Sequence, residues 1–185
     1  APVRGDHLGL YLEGVEKVIA YAQSIGCSMA ITCSGNLQPG LSRDEMRANL
    51  ENALGRAAEI AARNQFCLLL EPLNTHVNHA GYYLDSSLEG AAIVRAVGSQ
   101  HVKLLYDVYH MQIMEGYIIR SIQQNIKDIG HFHTAGNPGR HQFDETQEMN
   151  YPAICKAIAD SGFQGYLAHE YSPERGKDPL ETLDK

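Results

Sequence analysis

Carboxylate and imidazole side chains follow short apolar runs at several points of this sequence. Glu71 ends the run LLLE, Asp107 ends LLYD with His110 three residues later, His133 ends GHFH, and Glu170 follows YLAH. An ionised carboxylate in apolar surroundings needs a cation or several hydrogen bonds to stay charged. Carboxylate oxygens and an imidazole nitrogen together suit Mg²⁺, Mn²⁺, Co²⁺ or Zn²⁺. These residue types predict a site for one divalent metal ion, provided that the fold brings them together.

The apolar runs alternate with segments whose apolar residues recur at helical spacing. The predicted helices are Leu8 to Ile25, Ser42 to about Arg63, one that begins at Ser86, about Tyr117 to Lys127, and Asn150 to about Ser161. The predicted strands lie in CSMAITCSG, Phe66 to Leu73, HVKLLYDVYH, IGHFHTAG and GYLAHEY. This alternation predicts an α/β fold, with a parallel sheet covered by helices, in a single domain over residues 1–185.

The carboxyl ends of parallel strands open on the same edge of a sheet, so the side chains that end these strands are expected to converge there. Strand alternation places His131 and His133 on one face, with His133 nearer the edge. His169 and Glu170 point to opposite faces, so His169 is expected to pack against the helices or accept a hydrogen bond there. Four side chains are the predicted ligands of one cation: Glu71, Asp107, His133 and Glu170.

Two further residues lie beside this predicted edge. His110 can complete the metal shell or contact a substrate from outside it, and its alternative is a solvated loop histidine. Arg140, in TAGNPGRHQ, can bind an oxyanion or a hydroxyl, and its alternative is an ordinary surface arginine. Solvated or helix-capping roles suffice for the remaining histidines discussed, which are His7, His76, His79, His101 and His141.

The net charge, the apolar stretches and the cysteines of the chain limit the classes of function that it can have. The net charge of -7 and the pI near 5.7 disfavour a nucleic-acid partner. No apolar stretch approaches the ~18 to 20 residues that span a bilayer, so no membrane partner is expected. The four cysteines are widely separated and form no C-x-x-C pair, which predicts reduced thiols and a cytoplasmic location. No G-x-G-x-x-G and no P-loop follows a predicted strand, so nucleotide binding has no sequence support.

Four motifs resemble a known superfamily. EPLN (71–74), YDVYHMQ (106–112), GHFHTAGNPGRHQ (130–142) and HEY (169–171) are similar to motifs of the sugar isomerases and epimerases with a xylose-isomerase-like TIM barrel. The third motif is the most specific of them. The resemblance covers nearly the whole chain and is strongest to the hydroxypyruvate isomerase branch.

The resemblance implies a reaction and roles for individual residues. The four predicted ligands match positions that bind one divalent cation, and His110 and Arg140 match positions that contact the substrate. The implied reaction interconverts the aldose and ketose forms of a short hydroxycarbonyl compound, such as hydroxypyruvate and tartronate semialdehyde, through a cis-enediolate. Glu71 and Glu170 are the implied catalytic residues, one removing the proton and the other returning it.

Three other functions stay open at this point. A ketose 3-epimerase is one, but the spacing from His133 to Arg140 is one residue longer than in those relatives, which favours the hydroxypyruvate isomerase branch. A phosphodiesterase like the apurinic endonucleases is another, but the loop GRHQFDE lacks the D-x-H pair of that group. The third is a half-barrel that binds a metal or a sugar without turnover.

The chain is short for such a barrel, which has eight strands and about 250 residues. It begins at Ala1 without a methionine, which suggests a processed or incomplete chain. The order of the motifs implies that its strands correspond to the fourth to eighth of the barrel. Because such a partial barrel leaves two sheet edges unpaired, we expect a homo-oligomer. Its simplest form is a two-fold dimer that buries MAITCS and GYLAHE, or the inward-facing Leu69 and Leu105.

Overall fold

The structure, a computed structural model, describes residues 1–183 and contains a parallel sheet. Within this range each strand pairs with its neighbour in chain order, from β1 to β5. The strands are β1 (Met29–Cys33), β2 (Cys67–Glu71), β3 (Val102–Asp107), β4 (Ile129–Thr134) and β5 (Tyr166–His169). Such consecutive parallel pairing is what successive right-handed crossovers produce. The sheet is an α/β half-barrel of the TIM-barrel type, and the predicted fold class is confirmed.

Helices connect the strands and cover one face of the sheet. They are α1 (Leu8–Ser24), α2 (Arg43–Arg63), α3 (Ser87–Val97), α4 (Val108–Met114), α5 (Ile118–Asn125) and α6 (Tyr151–Asp160), and a 3-10 turn, Gly5–His7, precedes α1. A single apolar cluster joins the helices to the sheet, with Leu50 and Leu54 of α2 and Ile93 of α3 among its fully buried members. The core therefore lies between the sheet and the helix layer.

Local sequence signals explain where helices begin. The Ser42 side chain accepts from the backbone N–H of Glu45, and the Glu45 carboxylate accepts from the backbone N–H of Ser42 at 2.7 Å. This reciprocal capping box fixes the start of α2. At α3 the Ser86 side chain accepts from the backbone N–H of Glu89, while the Glu89 carboxylate accepts from Arg43 at 3.0 Å. Glu89 thus links α3 to α2.

The segment after β3 differs from the predicted single helix at Tyr117 to Lys127. The helix α4 starts directly after β3 and is capped by Asp107, whose Oδ1 accepts from the backbone N–H groups of Tyr109 at 2.7 Å and His110 at 3.2 Å. The chain then turns through Gly116 and Tyr117, both with positive φ, into α5. A helix of two turns is too short to show a periodic apolar pattern, so the sequence did not reveal α4.

Strand alternation gives the sheet two different faces. Leu68 and Leu70 of β2 point into the helix-side core, as does Leu104 of β3. Leu69 and Leu105 lie on the opposite, inner face and are also buried. Because side chains repeat every second residue, Glu71 follows Leu69 on that inner face and Asp107 follows Leu105. The inner face therefore ends in carboxylates at the C-terminal edge of the sheet.

The outer strands β1 and β5 carry exposed apolar side chains. Ile31 on β1 is 44% exposed and Tyr166 on β5 is 68% exposed. The homo-oligomer expected from the sequence stays a prediction, but Leu69 and Leu105 are already buried within one chain, so the alternative in which a dimer covers them is wrong.

A search of the helices in the described part of the chain finds none with the length and apolar character needed to cross a membrane.

Two helical glycines allow a matched test of the core. A Cβ on Gly90 of α3 would lie 2.6 Å from Cδ1 of Leu104 and 3.2 Å from Cγ of Pro72, whereas a Cβ on Gly55 of α2 meets nothing within 4 Å. We expect Gly90→Ala to lower the free energy of unfolding by about 1 to 3 kcal/mol through overpacking. Gly55→Ala should raise it by up to about 1 kcal/mol through helix propensity. Urea denaturation of both variants measures the difference, and equal stabilities would contradict this packing.

Candidate functional site

The C-terminal edge of the sheet brings together side chains that are far apart in the sequence. Asp107 of β3 lies opposite His133 of β4, and Glu170 directly follows β5. Glu71, Asp107, His110 and Glu170 each offer one ligand atom, and these four atoms lie within 4.8 Å of one another. We call these four residues and His133 the carboxylate–imidazole cluster.

Both imidazoles of the carboxylate–imidazole cluster face carboxylates. The Nδ1 of His133 lies 3.8 Å from Oε1 of Glu71 and 3.5 Å from Oε2 of Glu170. The Nε2 of His110 lies 3.7 Å from Oδ2 of Asp107. All five residues that the sequence placed at this edge therefore meet, and which imidazole serves as the metal ligand stays a prediction.

The surroundings of Glu71 disfavour the charged form of its carboxyl group. It is 5% exposed, and its Oε1 is buried without a hydrogen-bond partner in the described part of the chain. Burial, together with the charges of Asp107 and Glu170 and against the opposing charge of His133, raises the pKa of Glu71 to about 8. Burial also raises the pKa of Asp107, to about 6. Two carboxyl groups of the cluster thus lack sufficient compensating charge.

The surroundings of Glu170, in contrast, favour the charged form of its carboxyl group. Its contact with His133 and its salt bridge with Arg140 lower its pKa to about 2. Nη2 of Arg140 donates to Oε2 of Glu170 at 2.7 Å. Burial lowers the pKa of His133, but the contact with Glu170 and the charge of Glu71 outweigh burial, so that pKa is raised. Glu170 is the carboxylate that the protein keeps ionised by itself.

The cluster fits a divalent cation. Oε1 of Glu71 and Nδ1 of His133 are both buried, and neither has a hydrogen-bond partner within residues 1–183. Native proteins rarely leave such atoms unpaired. A cation among three carboxylates and an imidazole would provide both the partner and the missing positive charge, and this set of oxygen and nitrogen donors suits first-row divalent metals and Mg²⁺.

A tight loop after β4 holds Arg140 over the site. The backbone N–H of Arg140 donates to the carbonyl of Gly136 at 2.9 Å, and Arg140 has a left-handed φ of 55°. A Cβ on Gly136 would lie 2.7 Å from the carbonyl oxygen of Gln142, so the loop requires glycine there. The Arg140 guanidinium lies 5.4 Å from the centre of the Tyr109 ring. Backbone geometry thus directs the guanidinium towards Glu170.

The structure also shows site residues to which the sequence assigned no chemistry. Asn74 is fully buried and hydrogen-bonded to Nδ1 of His110. The ring of His79 lies 5.3 Å from that of His110, and its Nε2 is buried without a partner in the described residues. The solvated or capping role expected for His79 is therefore wrong. The sequence signal that could have placed His79 near the site is its position in the loop that follows Glu71.

His169 takes the place expected for it. Its Nδ1 lies 2.8 Å from Oγ1 of Thr134, and its ring packs edge-on against Phe143. The prediction of a packed or hydrogen-bonded histidine is confirmed for the hydrogen bond, whereas the residue itself is exposed.

Comparison with known proteins agrees with the fold. The sequence profile of the xylose isomerase-like TIM barrel matches residues 5–185, and the chain belongs to this family. It is 33% identical over 177 residues to a human protein named putative hydroxypyruvate isomerase, a match that covers 94% of the chain. It is also 33% identical over 162 residues to the 2-oxo-tetronate isomerase of Cupriavidus necator, covering 88% of the chain.

The fold is also similar to that of a solved structure. The crystal structure titled AP endonuclease, family 2, from Brucella melitensis superposes with a TM-score of 0.88 at 30% identity, covering 96% of this chain and 67% of that one. The chain spans 63% of the length of the human relative and 62% of that of the Cupriavidus necator relative.

Glu71 gives the metal-free protein a pH-dependent stability. The folded state raises its pKa from 4.5 to about 8, so between these pH values the unfolded chain releases this proton while the folded protein retains it. The contribution of Glu71 to stability therefore falls as the pH rises through this window and is lowest above it. In a chelator, Glu71→Gln should become more stable relative to the wild type between pH 5 and pH 8, by at least about 1.4 kcal/mol, the equivalent of one pKa unit.

Denaturant unfolding at several pH values measures this difference. Glu59→Gln, at an exposed carboxylate of α2, is the matched control and should track the wild type. A stability difference between Glu71→Gln and the wild type that does not change with pH would contradict the assigned environment.

Proposed function

We propose that this chain carries the catalytic centre of a metal-dependent isomerase that interconverts the aldose and ketose forms of a short hydroxycarbonyl compound such as hydroxypyruvate. The observation that carries the proposal is the carboxylate–imidazole cluster, which combines three carboxylates, two imidazoles and the adjacent Arg140 at one sheet edge. Two relatives at 33% identity carry the names putative hydroxypyruvate isomerase and 2-oxo-tetronate isomerase, which supports this class of reaction.

The proposed ligands of the cation are Glu71, Asp107, His133 and Glu170. A divalent cation bound there would act as a Lewis acid that acidifies the C–H bond beside a carbonyl and stabilises negative charge on oxygen. The backbone N–H groups of Tyr109 and His110 hold Oδ1 of Asp107, which leaves Oδ2 directed to the site. These hydrogen bonds orient the carboxylate before any cation arrives.

The two glutamates are the proposed proton carriers. His133 and Arg140 keep Glu170 ionised, so Glu170 is suited to remove a proton from one carbon of the substrate. Glu71 faces the same site from the end of β2, and its proposed role is to return a proton to the neighbouring carbon. The intermediate between these two steps is an enediolate, which accounts for aldose–ketose interconversion.

His110 and Arg140 are the proposed substrate-binding residues. Burial lowers the pKa of His110 to about 3, and the charge of Arg140 acts in the same direction, so the ring stays neutral. A neutral imidazole and a guanidinium are hydrogen-bond donors that can stabilise charge developing on a substrate oxygen. Arg140 additionally provides the positive charge that a substrate carboxylate prefers.

The other functions compatible with the family have weaker support. The similar structure titled AP endonuclease suggests a phosphodiesterase, but the net charge of -7 opposes the approach of a polyanion. A ketose 3-epimerase would use the same proton-transfer chemistry, and a half-barrel without turnover would retain metal binding alone. Metal binding and solvent exchange distinguish these functions from one another.

Metal binding tests the proposed ligands. The reconstituted chain should bind about one divalent ion, measured by metal analysis after chelation and dialysis. Glu71→Gln and Asp107→Asn should lose that ion, because each removes a ligand charge from the cluster. Asp44→Asn, an exposed carboxylate of α2, is the matched control and should bind as the wild type does. Unchanged metal content in both site variants would refute the site.

Solvent exchange tests the reaction. With Mn²⁺ or Mg²⁺ in D₂O, the chain should catalyse deuterium exchange into hydroxypyruvate and formation of tartronate semialdehyde, followed by NMR. Glu170→Gln should slow both by about 10² to 10⁴-fold, the usual value of a positioned proton-transfer group. Glu13→Gln, on the exposed side of α1, is the control. Metal binding without any exchange would favour the non-catalytic half-barrel, and exchange confined to a neutral ketose would favour the epimerase.

A further inference from the structure

Asn74 and His110 form a fully buried pair behind the site. Both residues are 0% exposed. The backbone N–H of Asn74 donates to Nδ1 of His110 at 3.0 Å, and Nδ2 of the Asn74 side chain lies 2.7 Å from the same ring nitrogen. A backbone N–H can only donate, so Nδ1 of His110 is an acceptor and carries no hydrogen.

The surrounding chain sets the orientation of the Asn74 amide. Its Oδ1 accepts from the backbone N–H groups of Val77 at 3.1 Å and Asn78 at 3.0 Å. Its Nδ2 donates to Oδ1 of Asn78 at 2.9 Å, an oxygen that also accepts from the Tyr109 hydroxyl at 2.9 Å. Exchanging the amide oxygen and nitrogen would place an NH₂ group against two backbone donors. The second hydrogen of Nδ2 is thus left to point at Nδ1 of His110.

We infer that Asn74 is a positioning residue that holds His110 in the Nε2–H tautomer, so that His110 donates a hydrogen bond into the site. An imidazole whose Nδ1 is free of hydrogen carries its hydrogen on Nε2. This Nε2 is buried, lacks a partner within residues 1–183, and faces Asp107 at 3.7 Å, beyond hydrogen-bond distance. Its hydrogen is therefore available to an incoming oxygen.

The same tautomer removes His110 from the set of metal ligands. A ring nitrogen that carries a hydrogen has no free lone pair for a cation, and the lone pair of Nδ1 is taken by Asn74. Distance alone would make His110 a candidate metal ligand, because one of its ring nitrogens lies within 4.8 Å of carboxylate oxygens of the cluster. The donor role towards a substrate rests on the proposed function, whereas the tautomer does not.

Nitrogen NMR of the metal-free, ¹⁵N-histidine-labelled chain tests the tautomer directly. The signals of His110 are assigned by their loss in His110→Gln. In the wild type we expect Nδ1 of His110 to have the chemical shift of a hydrogen-free ring nitrogen and Nε2 that of an N–H. In Asn74→Asp the side-chain donor becomes an oxygen acceptor that competes with the retained backbone N–H at position 74, so part of the population should carry the hydrogen on Nδ1 and the two shifts should move towards each other.

Asn78→Asp is the matched control for this substitution. It adds the same negative charge four residues later and keeps the Oδ1 to which Asn74 and Tyr109 donate. Its spectrum should show the wild-type tautomer. A wild-type Nδ1 that carries the hydrogen, a folded Asn74→Asp with the wild-type pattern, or an equal change in Asn78→Asp would each overturn the inference.

Cobalt binding provides a second test that does not depend on Asn74→Asp folding. His110→Gln should bind Co²⁺ within about twofold of the wild-type affinity, and His133→Gln should bind it at least about tenfold more weakly, as expected for a change in a metal's immediate surroundings. Loss of Co²⁺ binding in His110→Gln comparable with that in His133→Gln would show that His110 is a ligand. A chain with the expected tautomer but no isomerase activity would uphold the role of Asn74 and refute the proposed function.

Discussion

The structure depends on the placement of three carboxylates of like charge within a few ångströms of one another, two of them buried. Glu71 and Asp107 are almost inaccessible to solvent, and Glu170 lies beside them. Such a group is unfavourable in an apolar setting unless positive charge or protons compensate it. The chain itself provides Arg140 for Glu170 and raises the proton affinity of Glu71. The remaining deficit of positive charge is the physical ground for the cation site that we propose at this sheet edge.

The architecture provides this placement by simple geometric rules. Parallel strands in consecutive order present their carboxyl ends on one edge, and alternation sends every second side chain to the inner face. Leu69 and Leu105 fill that face below the carboxylates. The short helix α4 then begins directly after Asp107, so that this proposed ligand is also the helix cap. One set of backbone hydrogen bonds thus both starts a helix and orients a carboxylate.

The two imidazoles of the cluster show how neighbouring groups assign chemistry. His110 and His133 are the same residue type at similar distances from carboxylates. Their surroundings differ. His110 accepts hydrogen bonds from Asn74 and lies near the charge of Arg140. His133 faces Glu71 and Glu170, and its Nδ1 has no hydrogen-bond partner in the described residues. Burial and hydrogen bonding, more than distance to the site, are therefore the basis on which we propose His110 as a donor and His133 as a ligand.

The sequence by itself determined the α/β class, the approximate position of every strand, and the convergence of Glu71, Asp107, His133 and Glu170, because these follow from local apolar patterns and from the common direction of parallel strands. It did not reveal α4, the place of His79 or the contact between Asn74 and His110. Only the tertiary structure decided these. A two-turn helix leaves no periodic signal, and a hydrogen bond between residues 36 positions apart depends on how two loops pack at the end of the sheet.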